Sequence, residues 1–314
     1  METRTTATPS PQNRPLTPLL VLLFIFLGAA GAWLLRIDPI QHDVPRNFQS
    51  VVASGKLEDG SQLKQHFTGL TVIYDTLANL VAAFAAGPTA VWAIFYQTLG
   101  GTAIIPLYYA AYEYTSRNDD YYQSGRALDL LSAKSILPAT VLAYLIPTIA
   151  MYIPFQDPSI TQNLIAFWQI TPLRIGADRK YLNQIYYAAF VVTAVTHLVL
   201  VYICLTSNDP QTKLGYVFLP SKETLKDGVT MGLHYIFQWD FWGIAGSSLL
   251  WCWFVVFDVQ RLLGSSSVCG VAQAGLVIGV MAVVLGPGAA MAAVWKWKED
   301  KLVGIEEKAL RKKN

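Results

Sequence analysis

The residues able to do chemistry here are those that should not be where they are. Asp75, Glu113, Asp129, Lys134, His197, Asp240 and Asp258 stand within or at the ends of long apolar runs. An ionised side chain at the centre of a bilayer costs about 2.5–3.5 kcal/mol on insertion scales, so such groups face a bundle interior and mark function. Several have a plain alternative. Glu113 and Arg117 are four apart and can pair along a helix. Asp129 suits a first helical turn, and His197 suits a hydrogen-bonded bundle histidine. Asp75, with Asn79 one turn later, and Asp240, beside Trp239 and close to Trp242, are harder to dismiss.

Aromatic residues gather around the acids: Tyr74, Tyr108, Tyr109, Tyr112 and Tyr114, then Phe237, Trp239, Phe241 and Trp242. Tyrosine and tryptophan also collect in interfacial belts. Next to buried acids, however, their faces can stabilise a carbocation. A carboxylic acid in apolar surroundings can stay protonated at neutral pH. Acid, carboxylate partner and aromatic walls together suit acid-initiated cyclisation of an apolar substrate. The catalytic candidates are therefore Asp75, Glu113 and Asp240, and the substrate-binding candidates Tyr74, Asn79, Tyr112, Trp239 and Trp242.

Metal chemistry has thinner support. Asp119-Asp120-Tyr121-Tyr122-Gln123 looks like an aspartate-rich diphosphate–magnesium motif, but its fifth position is glutamine and no second such motif follows. Magnesium is held by hard oxygen ligands, usually one or two carboxylates plus phosphates. This stretch reads as a solvated loop. There is no P-loop, HExxH, GxSxG or histidine cluster, so no metal or other cofactor is expected. Cys204, Cys252 and Cys269 have neither disulfide nor metal spacing.

Composition states what must position these groups. Hydrophobic residues make up 53% of the 314 and charged residues 14%, against about 25% charged in soluble domains. A run of about 20 apolar residues crosses a bilayer as a helix, which satisfies its own backbone. The expected fold is all-α, a polytopic membrane bundle of about seven transmembrane helices. A Pro/Thr-rich tail over 1–16 reads as disordered, the bundle as 17–295, and 296–314 as a charged cytosolic tail. The spans fall near 17–36, 67–86, 89–112, 127–152, 184–206, 233–257 and 270–295. Lysine and arginine concentrate in loops 1–2, 3–4 and 5–6 and in the tail. The positive-inside rule then puts the C-terminus in the cytosol and the N-terminus in the lumen, or in the cytosol if span two only dips into the membrane. Alternation brings Asp75, Glu113 and Asp240 to similar depths. Asp258, eighteen residues beyond Asp240 and so ~27 Å along the helix, goes to the opposite face. The net charge of +2 argues against a nucleic-acid partner, and the last four residues resemble a dilysine retrieval signal of the endoplasmic reticulum.

The stretches FTGLTVIYDTLANLV (67–81), IIPLYYAAYEYTSR (104–117) and HYIFQWDFWG (234–243) carry a family likeness. The chain resembles, over about 65–295, the integral-membrane terpene cyclases of fungal meroterpenoid and indole-diterpene pathways, the ascofuranone-type cyclases in particular. The resemblance implies a lipophilic prenylated substrate on an aromatic or indole head group, often with a terminal epoxide, and other pathway enzymes as associates. It implies protonation, cation cyclisation and proton loss without a cofactor. Asp240 or Asp75 would be the acid, Glu113 its partner or the terminal base, and Asn79 would orient Asp75. The long 1–2 loop and charged tail depart from shorter members of that family. Two other classes fit the composition: a proton- or cation-coupled transporter, and a seven-helix receptor or lipid-binding protein. The odd span count and the lack of an internal repeat disfavour the transporter. No cysteine pair is present to tie a receptor's outer loops.

Overall fold

The computed structural model describes residues 14–44, 99–118, 141–151, 153–157, 179–223 and 228–313, with a few isolated positions between them. The candidates Tyr74, Asp75 and Asn79, the motif at Asp119 and Asp120, and Asp129 and Lys134 lie outside the described residues.

Helices form the regular structure. The first, α1 (Thr17–Ala32), has Pro18 in its opening turn, where a missing N–H costs nothing. It passes through a π-helical turn, Trp33–Ile37, into α2 (Asp38–Gln41). Next come α3 (Gly101–Thr115) and, after a π-helical turn at Val141–Leu145, α4 (Ile146–Met151). The long α5 (Arg179–Thr206) leads to the short α6 (Leu214–Phe218), then to α7 (Val229–Leu262), α8 (Val268–Val284) and α9 (Pro287–Lys313). Among the described residues, three helical stretches are long and apolar enough to cross a membrane: Thr17–Gln41, Asn183–Thr206 and Thr230–Leu262.

The expected seventh span, 270–295, is two helices. Pro287 opens a new helix, and Gly286 supplies the backbone for a reversal with φ +93°, a region glycine enters without strain. Trp253 Nε1 donates to Val271 O at 2.7 Å while Ile278 packs near Cys252, so α8 descends as α7 rises. Trp295 then meets Trp251, and Leu302 meets Val259, so α9 rises with α7. What reads as a charged tail from 296 continues α9. Its Lys298 and Leu302, one turn apart, are buried, while Lys296 pairs with Asp300 at 2.6 Å on an exposed side.

The strict alternation of the first three spans is also corrected. Phe24 packs on Tyr109, Gly31 lies against Thr102, and Arg14 N–H donates to Arg117 O at 2.8 Å. So α1 and α3 are antiparallel. Thr102 meets Asp240 and Tyr109 meets Ser248, so α3 and α7 are parallel. The start of α1 and the second half of α9 consequently share one end of the bundle.

Close approach of α1 and α3 needs Gly28 and Gly31. A Cβ on Gly31 would run into the Thr102 carbonyl, and one on Gly28 would lie 2.8 Å from Ala103 O. Small residues at such crossings allow the backbone contact that drives membrane-helix packing. Gly31→Ala should therefore lower stability by about 1–3 kcal/mol, the range for overpacking. Thermal melting in detergent followed by size-exclusion chromatography measures it; melting alongside the parent would mean the helices do not meet there.

Candidate active site

The described candidates separate into two ends of the bundle and one outer face. At the first end, Glu113 closes α3 and is almost fully buried. Trp251 Nε1 donates to its Oε1 at 3.0 Å, and Arg14 Nη1 lies 3.1 Å from its Oε2. The same Arg14 nitrogen is 2.8 Å from Asp258 Oδ2. Its other nitrogen donates to Ser116 O at 2.7 Å and also to Ser116 Oγ. Tyr112 sits edge-on to Trp251, with ring centroids 5.0 Å apart, and Lys298 Nζ is 4.0 Å above the Trp295 ring.

This arrangement overturns two expectations. Asp258, assigned to the far face, shares its arginine with Glu113. Arg117 leaves Glu113 and lies 4.8 Å over the Tyr114 ring. The cause is the parallel course of α3 and α7, which brings the C-terminal turns of both to one level. Arg14, counted within a disordered tail over 1–16, is the cation that joins them. Its position just before the Pro18 turn was the available signal, since an arginine directly ahead of an apolar helix enters the bundle end with it.

Asp240 lies at the other end. Helix α3 starts after Gly100, whose φ is +96° and which has no side chain to cap the free first-turn N–H groups. Asp240 does so from α7, accepting the Thr102 N–H on Oδ1 at 2.7 Å. Thr102 Oγ1 in turn donates to Asp240 O at 2.8 Å and Trp239 O at 3.0 Å. Asp240 Oδ2 has no hydrogen-bond partner among the described residues. Gly100 also packs on Leu35, and Gly101 on Ile244, so the carboxyl is bordered by apolar groups. Thr102 and Glu113 are eleven residues apart on α3, ~16 Å along its axis. The expected pairing of Asp240 with Glu113 is thus corrected: each serves a different end.

Trp239 precedes Asp240 on α7. Its ring stands 6.4 Å from Tyr235 at 77°, one turn earlier on α7. Tyr235 Oη donates to Asp38 Oδ2 at 2.6 Å, and Lys222 Nζ to Asp38 Oδ1 at 2.9 Å. Asp38 reads in sequence as the charge that ends the first span, yet it is buried. Trp242, expected to line a cavity, is half-exposed and donates Nε1–H to Phe218 O at 2.6 Å. His197 is the bundle histidine expected, 3.0 Å from Val283 O and packed on Gly286.

What fold and site define is a helical bundle, with three helices among the described residues long enough to span a membrane and carboxylates buried at both ends. Residues 82–177 and 174–304 match the model of the CtvD domain, a family of fungal secondary-metabolite pathways, and the chain belongs to that family. The FAD-dependent monooxygenase verC1 of Penicillium polonicum is 23% identical over 309 residues, an alignment covering 90% of this chain and 37% of that protein. The chain thus spans little more than a third of that relative's length. No solved structure matches it.

Proposed function

We propose that this protein is a membrane-embedded cyclase of secondary metabolism that starts a cation cyclisation by protonating an epoxide or alkene on a prenylated substrate. The observation that carries the reading is Asp240: one carboxyl oxygen is fixed by a backbone N–H, while the other is left to hold and deliver a proton. A protonated carboxyl needs that division, because its carbonyl oxygen accepts while its hydroxyl donates. Transfer of the Oδ2 proton to the epoxide oxygen breaks a carbon–oxygen bond. The neighbouring alkene's π electrons then form the new carbon–carbon bond, and loss of a proton from carbon restores neutrality. A positioned proton donor contributes typically 10²–10⁴-fold.

The relative's name supports an oxygenated substrate. Monooxygenation of an alkene gives an epoxide, so a chain that carries a stretch like this one under a monooxygenase's name suits consecutive oxygenation and ring formation. Glu113, with both oxygens engaged and almost no exposure, serves in this reading as part of the frame. The enzyme would reside in the endoplasmic reticulum membrane.

Yeast microsomes containing the chain, given an epoxidised farnesyl-phenol with EDTA present, should yield a cyclised product of unchanged mass by LC–MS. No turnover across a panel of farnesyl and geranylgeranyl epoxides would point to a transporter or binding protein. A requirement for Mg²⁺ and diphosphate would restore the Asp119–Asp120 motif as the reacting centre.

A further inference from the structure

We infer that the segment from Leu214 to Lys222 is a gate through which a lipophilic substrate reaches the Asp240 end of the bundle, latched shut by Lys222 on Asp38. The inference rests on the reading of Asp240 as the reacting group. Three side chains of α7 spaced four apart, and so in one stripe, hold the middle of the segment by its carbonyls. His234 Nε2 lies 2.9 Å from Tyr216 O, Gln238 Nε2 donates to the same oxygen at 2.6 Å, and Trp242 donates to Phe218 O. Tyr216 stacks on His234 with ring centroids 4.8 Å apart, and Phe218 meets Phe241 at 5.6 Å.

The far end is held differently. Lys222 crosses from that stripe to Asp38, its side chain 66% exposed against 3% for its partner. Release returns the Lys222 ammonium to water, so its cost falls on Asp38 alone. Its release does not strand Asp38, which keeps the Tyr235 hydroxyl. Beneath the latch lie Asp38, Tyr235 and Trp239. Leu35, one turn before Asp38, touches Gly100, which adjoins Asp240 Oδ1. Leu35 and Gly100 are thus what stands between the latch and the acid.

Two further features suit movement here. No residue of Pro210–Thr212 or Leu214–Phe218 is buried, and segments with few buried contacts open at low cost. Opposite the latch, the first helix carries its π-helical turn Trp33–Ile37, a deviation found often at functional sites. It sets Leu35 and Asp38 toward the same corner.

The test fixes the gate chemically. With Cys204, Cys252 and Cys269 replaced by alanine, Lys222→Cys and His42→Cys are joined by a reducible bis-methanethiosulfonate linker in purified full-length protein. Quenching of tryptophan fluorescence by a brominated farnesyl-phenol then reports arrival of the probe without requiring turnover. The linked protein should be quenched at least tenfold more slowly, and reduction should restore the rate. Equal rates before and after reduction would overturn the gate, as would slow quenching that reduction does not reverse. Running the same experiment on Asp240→Asn separates the two ideas. Linker-dependent quenching in a variant that still cyclises substrate would keep the gate and remove Asp240 as the acid.

Discussion

Replacing Arg14 with methionine should destabilise the bundle by about 3–5 kcal/mol, the cost of removing one partner from a buried ion pair. The arginine lies within 2.8 Å of Asp258 and 3.1 Å of Glu113 and is itself almost without solvent contact. Its loss leaves two carboxylates facing each other, with the Trp251 indole on one and the half-buried Arg261 beside the other. It also frees the Ser116 carbonyl and the end of α3. A neutral replacement of the whole cluster, Arg14→Met with Glu113→Gln and Asp258→Asn, should regain most of that stability, since buried ion pairs exchanged for uncharged groups are often neutral or stabilising. Melting of the single and triple variants in detergent decides it. A single variant that melts with the parent would show that the cluster is solvated in the membrane.

That cluster also marks where sequence reading stops. The carboxylates at 113 and 240 are legible because apolar runs surround them, and their engagement within the bundle follows from the cost of leaving them in lipid. Their partners are not legible, because pairing depends on helix direction and not on spacing along one helix. The Gly286-Pro287-Gly288 break is visible in sequence, yet whether a chain bends or reverses there depends on the φ +93° at Gly286, which glycine allows without requiring. Treating 89–112 as parallel to 17–36, and so as antiparallel to 233–257, put Glu113 beside Asp240 and away from Asp258. Trp242 was misread for a related reason. An aromatic residue two positions from an acid points to another side of a helix at 100° per residue, and only the strap from Tyr216 to Phe218 explains its indole N–H.

Asp240→Asn should lower turnover by about 10²–10⁴-fold, the contribution of a positioned proton donor, while leaving the protein folded. The amide keeps an oxygen at the Oδ1 position, so the Thr102 N–H retains its acceptor and α3 its capped start. What disappears is the second oxygen's capacity to act as an acid. Asp240→Ala removes both and should lose stability as well as turnover, by about 1–3 kcal/mol for the orphaned N–H. The comparison with Glu113→Gln is decisive because the two acids sit at opposite ends of α3. If Glu113 belongs to the frame, its turnover deficit should follow its loss of stability and recover in the triple neutral variant. If Glu113 reacts with substrate, the triple variant will be stable and inactive. Turnover by a stable Asp240→Asn protein at the parental rate would remove Asp240 from the chemistry and shift the search to Asp75. Only an acid whose loss separates turnover from folding can be the one that delivers the proton.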